Sequence, residues 1–291
     1  MLKKVSLALL VLVLMVGVAM AEPGEEIVFT MEDPLGDSVG PGSYTYPQHT
    51  SFPPELAQML DLVNFTVSSR QDTMRFEFEF AQAPNLHQPW GGAGYNFHRI
   101  DLYITSGGEG NSNTFRPGAG VQMCKPWQVN LRIRDWKGAY LIHWQEDPDD
   151  SQAGVWQDQV QGFDVFVQGK SIVAEVSHQL LGPPQPQWKY YVLVGLQDAY
   201  GPDQYREITQ EEGPWTGGGG SETQFNPNIY DILAPSADDQ YSQLKWDVGK
   251  LAQLQPVGVG AGSSRLFKII AVVAVLLVAA GVAIFIWMYR K

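Results

Sequence analysis

A single cysteine, Cys124, stands in 291 residues, so no intrachain disulfide can form. A body of this length can fold on its hydrophobic core without one. Cys124 has no base near it in sequence and reads as a small half-buried residue rather than a nucleophile. Positive charge is also scarce. All 31 acidic residues lie between residues 22 and 264, against 13 of the 19 lysines and arginines, which leaves that segment at −18. Such a balance argues against nucleic acid or an anionic membrane surface as partner. It suits cations or neutral ligands such as sugars, and solubility alone would equally account for it. No internal repeat and no long amphipathic helix is present before the last residues. A Ser–His–Asp arrangement, a glycine-rich phosphate loop and a zinc-ligand helix are absent as recognisable motifs.

Two apolar runs stand at the ends. Residues 1–21 read as a secretory signal: Lys3 and Lys4, then Leu7 to Val18, then Ala19-Met20-Ala21 before a cleavage site. Ile269 to Met288 is an unbroken stretch of 20 apolar or small residues, long enough to cross the hydrocarbon of a bilayer. Trp287 and Tyr289 mark an interface. The flanking charges are nearly balanced, so the cleaved signal sets the orientation, with the body outside. The expected organisation is a signal over 1–21, a domain over 22–256 and a flexible stalk over 257–265. A single-pass helix over 266–289 and a two-residue cytoplasmic tail follow. The expected location is the cell membrane, with the domain extracellular.

Between the ends, short runs with a period of two dominate. In Met74-Arg-Phe-Glu-Phe-Glu-Phe80 the apolar residues alternate with charged ones, so Met74, Phe76, Phe78 and Phe80 face a core. Further strands are expected at 25–30, 61–67, 99–105, 128–134 and 139–144. A hairpin is expected over 162–176, turning at Gln168-Gly-Lys170. Tyr190 to Leu196 is nearly all apolar, as in a central strand covered on both faces. Ser106 to Gly120 and Gly217 to Gly220 read as flexible loops, and 145–154 as a solvated acidic turn. The pattern predicts an all-β protein built as a single antiparallel β-sandwich, with the transmembrane helix at its C-terminus.

The stretch Asp33-Pro-Leu-Gly-Asp-Ser-Val-Gly-Pro-Gly-Ser-Tyr-Thr-Tyr-Pro47 is too rich in glycine and proline for a regular element. Asp33 and Asp37 sit on it, and such a turn exposes carbonyls that join carboxylates around a hard cation. A rigid clasp without a ligand fits the stretch as well. Tyr44 and Tyr46 follow at strand spacing, to cover a buried patch or a ligand. Asp198 and Asp203 form a second carboxylate pair beyond the central strand. If both turns lie at one end of the sandwich, the four carboxylates converge and would repel unless a cation such as Ca²⁺ sat among them.

Four ordered motifs carry a resemblance. They are Asp33-Pro-x-Gly-Asp with Gly40-Pro-Gly-x-Tyr-x-Tyr-Pro47, Asn85-x-x-x-Pro-Trp-Gly-Gly92, Val192-Leu-Val-Gly-x-Gln-Asp-x-Tyr-Gly-Pro-Asp203, and Asn226-Pro-Asn-Ile-Tyr-Asp-Ile-Leu233. Together they make the chain resemble the C-terminal binding module of glucodextranase, found also in amylopullulanases. The wider resemblance is to family-9 carbohydrate-binding modules and DOMON domains. It implies a β-sandwich that binds polysaccharide or another cell-envelope component without catalysis, and it leaves no room for a separate catalytic domain.

Sugar binding needs flat aromatic faces and nearby polar groups. Trp90 and Trp215 are the expected platforms, since each sits among glycine and proline. Tyr44, Tyr46, Asn96 and His98 are the other ligand candidates, although His98 reads equally as a half-exposed strand residue. Three other readings stay open. A cell-envelope scaffold would have a protein partner. A glycoside hydrolase would need two carboxylates across a cleft. A haem-binding DOMON-type domain would need axial ligands such as His or Met.

Overall fold

The computed structural model describes residues 24–86, 94–135, 138–145 and 154–259. The expected signal, the transmembrane helix, Trp90, Trp136 and most of the acidic turn after Gln145 lie outside them. Among the described residues no helix is long and apolar enough to cross a membrane.

Two antiparallel sheets face each other. The first holds β1 (Glu25–Glu32), β2 (Leu62–Arg70), β3 (Thr73–Phe80), β11 (Ser171–Ser177) and β10 (Phe163–Gln168) in that spatial order. The alternation in β3 is obeyed: Met74, Phe76, Phe78 and Phe80 are buried, and the charged residues between them lie on the outer face. The second sheet runs β13 (Asp231–Ile232), β12 (Lys189–Leu196), β4 (His98–Thr105), β7 (Val129–Arg134), β8 (Tyr140–His143) and β9 (Gly154–Trp156). The short β15 (Val257–Gly258) also pairs with β12.

The core between the sheets mixes aromatic and aliphatic side chains from both. Phe29, Phe65 and Phe78 meet Tyr190, Val192, Ile100, Leu102 and Leu131, and the Phe29 and Tyr190 rings lie 5.1 Å apart. Burial of each such side chain contributes about 1.5–3 kcal/mol.

A plain two-layer sandwich does not complete the molecule. A third sheet of β5 (Asn111–Asn113), β6 (Val121–Trp127) and β14 (Ala252–Leu254) helps cover the far face of the second sheet, and β14 pairs with β6 in parallel. Trp127, Tyr103, Tyr191, Leu193, Met123 and Leu254 form a second core there. This is why β12 is buried on both faces: Tyr190, Val192 and Val194 belong to one core, Tyr191 and Leu193 to the other.

Three expectations of disorder are corrected. Part of 106–120 is a strand, because Asn113 accepts from the Trp127 indole N–H at 2.7 Å and pairs with Gln122. The start of the expected stalk is ordered, with Val257 buried in the main core opposite Tyr190. The glycines at 217–220 form a packed seam: Gly218 bridges to Thr45, and a Cβ on Gly217 would stand 2.1 Å from the Tyr230 hydroxyl. Cys124 is half-buried, with Gln255 Nε2 3.0 Å from its sulfur.

Among the described residues three short α-helices complete the fold: α1 (Leu56–Leu60), α2 (His178–Leu181) and α3 (Ala237–Leu244). Ser236 caps α3, its hydroxyl accepting from Asp239 N–H at 3.2 Å, with Asp238 and Asp239 in the positive first turn.

Candidate functional site

An aromatic shelf lies where β12 ends. The segment after the glycine- and proline-rich clasp runs beside residues 213–214, with Gln48 and His49 N–H donating to Gly213 and Pro214 carbonyls at 3.0 and 2.9 Å. That pairing lays the His49 ring on Trp215, 4.0 Å away and 23° from parallel. Phe52 meets Trp215 edge-on at 5.6 Å. Arg206 braces the turn from within. Its guanidinium donates to Trp215 O at 2.7 Å and Gln197 O at 3.2 Å, and pairs with Asp198 at 2.9 Å. Asp198 in turn accepts from Tyr200 N–H at 3.0 Å.

Trp215 is 46 % exposed and Tyr200 97 % exposed, unusual values for aromatic residues in a chain that buries most of its rings. A groove of about 330 Å³ opens alongside, lined by Tyr46, His49, Phe52, Pro53 and Pro54 among others. A half-exposed indole can stack its free surface on an apolar pyranose face, with polar groups beside it to bond the sugar's hydroxyls. A second concavity, an open trough of about 800 Å³, crosses the outer face of the first sheet. Arg75 is tied down there by Glu175 at 2.9 Å and Gln168 at 2.8 Å, and none of the residues lining the trough is aromatic.

The other ligand candidates are placed differently. Tyr44 is buried, its hydroxyl donating to Pro227 O at 2.9 Å. Tyr46 stacks on Tyr230 at 4.4 Å and 12° and donates to Ser38 O. The two tyrosines therefore cover a buried patch, the first of the two roles expected of them, with Tyr46 also reaching the groove wall. Asn96 is buried. His98 is fully buried against Phe80, with Nε2 2.6 Å from Met59 O. Burial lowers its pKa to about 4, partly offset by that bond to Met59. A neutral, enclosed imidazole cannot reach a ligand on the surface, so His98 and Asn96 serve the interior.

The four expected cation ligands do not converge. Asp198 pairs with Arg206. Asp203 sits on a turn where both it and Gln204 take positive φ, 48° and 66°. Arg132 and Arg99 hold its carboxylate, and Arg134 donates to Gln204. These aspartates already have cationic partners.

Asp33 and Asp37 instead meet Asp231, with donor oxygens of all three within 4.8 Å of one another. Each comes from a different constraint. Asp33 Oδ1 accepts from Ala234 N–H at 2.7 Å, and Asp231 Oδ2 accepts from Leu62 N–H at 2.8 Å. Asp61 accepts from Gly36 N–H through both oxygens, at 3.0 and 2.9 Å, and braces the clasp. Gln240 of α3 accepts from Ile232 N–H and donates to Asp37 O, closing the far side. Burial raises these acids. Asp33 is pushed up to about 9, despite the Ala234 bond and with help from Asp37 and Asp61. Asp37 rises to about 7 by burial and then Asp61, and Asp61 to about 6 by burial. Asp231 is raised as well, by burial and then by Asp33 and Asp37. Sequence reading missed Asp231, although it lies inside the Asn226–Leu233 motif.

Facing antiparallel sheets whose loops present a half-exposed aromatic shelf make a sheet-built binding module. The chain belongs to the family described as the C-terminal binding module, SLH-like, of glucodextranase, whose model matches residues 28–256. No curated protein matches the chain significantly.

Proposed function

We propose that the chain is an extracellular module, anchored by the 266–289 helix, that holds α-glucan or another cell-surface polysaccharide on the Trp215 shelf without cleaving it. The observation that carries this reading is Trp215, still half-exposed although His49 is stacked on it. A loop tryptophan braced by Arg206 is a preorganised platform, so little side-chain entropy is lost when a sugar ring settles on it. The family supports a binding role, and the −18 charge of residues 22–264 suits a neutral glycan. The shelf is favoured over the trough because the trough offers charge where a pyranose face needs a flat apolar surface. Asp198 beside the shelf is already engaged by Arg206. The family's SLH-like description favours one second reading, a cell-envelope scaffold with a protein partner.

Pull-down on insoluble starch and on cell-wall polysaccharide separates the two. The full-length protein is expected to be retained, and Trp215→Ala to reduce retention by about five- to a hundredfold, the equivalent of roughly 1–3 kcal/mol for truncating an anchoring aromatic. Retention on no glycan, with a protein recovered in its place, would favour the scaffold.

A further inference from the structure

We infer that Asp33, Asp37 and Asp231 form a buried site for a single hard divalent cation of calcium's size, locking the clasp onto β13. The carboxylates alone would not carry this, since acidic groups often cluster without an ion. Their unpartnered atoms do. Asp33 Oδ2, both oxygens of Asp37 and Asp231 Oδ1 are buried without any hydrogen-bond partner. Asp37 is 2 % exposed, Asp33 7 % and Asp231 0 %. Among the described residues no lysine, arginine or histidine pairs with these three; the recorded ion pairs all lie elsewhere. Buried carboxylates as a rule have a cationic partner, a metal or a proton.

The geometry distinguishes these. In Asp33 and Asp231 one oxygen is pinned by a backbone N–H, and the other is left over. The leftover atoms belong to side chains that gather ligand atoms within 4.8 Å of one another. An ion with bonds of about 2.4 Å can reach all three, whereas Mg²⁺ is usually held by one or two carboxylates and keeps several waters, which suits three buried carboxylates poorly. Asp61 spends both oxygens on Gly36 N–H and so acts as an outer brace, orienting the loop that carries Asp37. Asp231 lies about 200 residues after Asp33 and Asp37, so a bound ion would tie the first loop of the domain to its last third. Thiol and imidazole ligands are absent from the set, which disfavours zinc and copper.

The test uses the full-length protein, stripped with chelator and titrated with calcium alone. Its melting temperature is expected to rise by about 5–10 °C at saturating calcium, with a much smaller rise in magnesium. Asp37→Asn keeps the shape but removes one charge. It is expected to melt no lower than the stripped wild type, which shows that it folds, and to lose the calcium response. Asp198→Asn, outside the cluster, is expected to keep it. Terbium should bind the wild type and be displaced by calcium, and fail to bind Asp37→Asn. No calcium-dependent rise in the stripped wild type would overturn the site, as would a full response in folded Asp37→Asn. The polysaccharide pull-down reads a different surface, so either result can fail alone.

Discussion

Asp101→Ala is expected to lower the stability of the domain by about 3–5 kcal/mol, a fall of roughly 10 °C in melting temperature. Asp101 lies on the far face of the second sheet, fully enclosed. Its Oδ1 meets Arg99 at 2.8 Å and Arg132 at 3.4 Å, and its Oδ2 accepts from the Tyr205 hydroxyl at 2.6 Å. Burial alone would raise its pKa, but Arg99 and Arg132 hold the carboxyl below its ordinary value. Removing it leaves two buried guanidinium groups sharing Asp203. The Arg99 guanidinium also lies 4.6 Å from the centre of the Tyr205 ring, so the loop beyond β12 should loosen with it. Asp101→Asn keeps a bond to Tyr205 and should cost less. Denaturant unfolding of the three proteins measures the difference, and a loss under about 1 kcal/mol for Asp101→Ala would contradict the ion network as drawn.

Trp127→Ala is expected to cost a further class of energy, about 3–5 kcal/mol from transfer and cavity. Trp127 is 1 % exposed, packs on Tyr103 with ring centroids 5.2 Å apart, and donates its indole N–H to Asn113 O at 2.7 Å. Truncation would empty the second core and orphan that carbonyl, so β5 should detach from β6. Exchange of the Asn113 region's amides with solvent is expected to accelerate before global unfolding. A domain built only of two sheets would be nearly indifferent to this change, since Trp127 lies on the face away from them.

The strands were readable where one face of a sheet meets water. Met74 to Phe80 alternates because its outer face is solvated, and the 162–176 hairpin announces itself through Gly169. Strand β4 is different. Arg99 and Asp101 stand where water-facing residues should, yet both are buried, and Asp101's hydroxyl partner Tyr205 is 104 residues away. No local period encodes such a pairing, so the third sheet could not be foreseen from alternation. Glycine was similarly ambiguous: the composition that makes a loop flexible also permits the close approach of Gly217 to Tyr230.

The site was legible in part. Trp215 stood out through its glycine and proline neighbours and is exposed as expected. Asp33 and Asp37 stand out in the sequence because an irregular backbone carries them. Asp198 and Asp203 looked equivalent, since a carboxylate awaiting a cation and one already held by Arg206 or Arg132 look the same in a linear sequence. Asp231 was hidden for the opposite reason. It sits in a strand of two residues and meets Asp33 and Asp37, about 200 positions earlier.

The most direct measurement is a binding isotherm of the full-length protein against soluble α-glucan and cell-wall polysaccharides, with reducing ends assayed in the same samples. Saturable binding that weakens in Trp215→Ala, with no new reducing ends, is expected. Release of reducing ends, or no saturation on any polysaccharide, would contradict a module that holds a glycan unchanged.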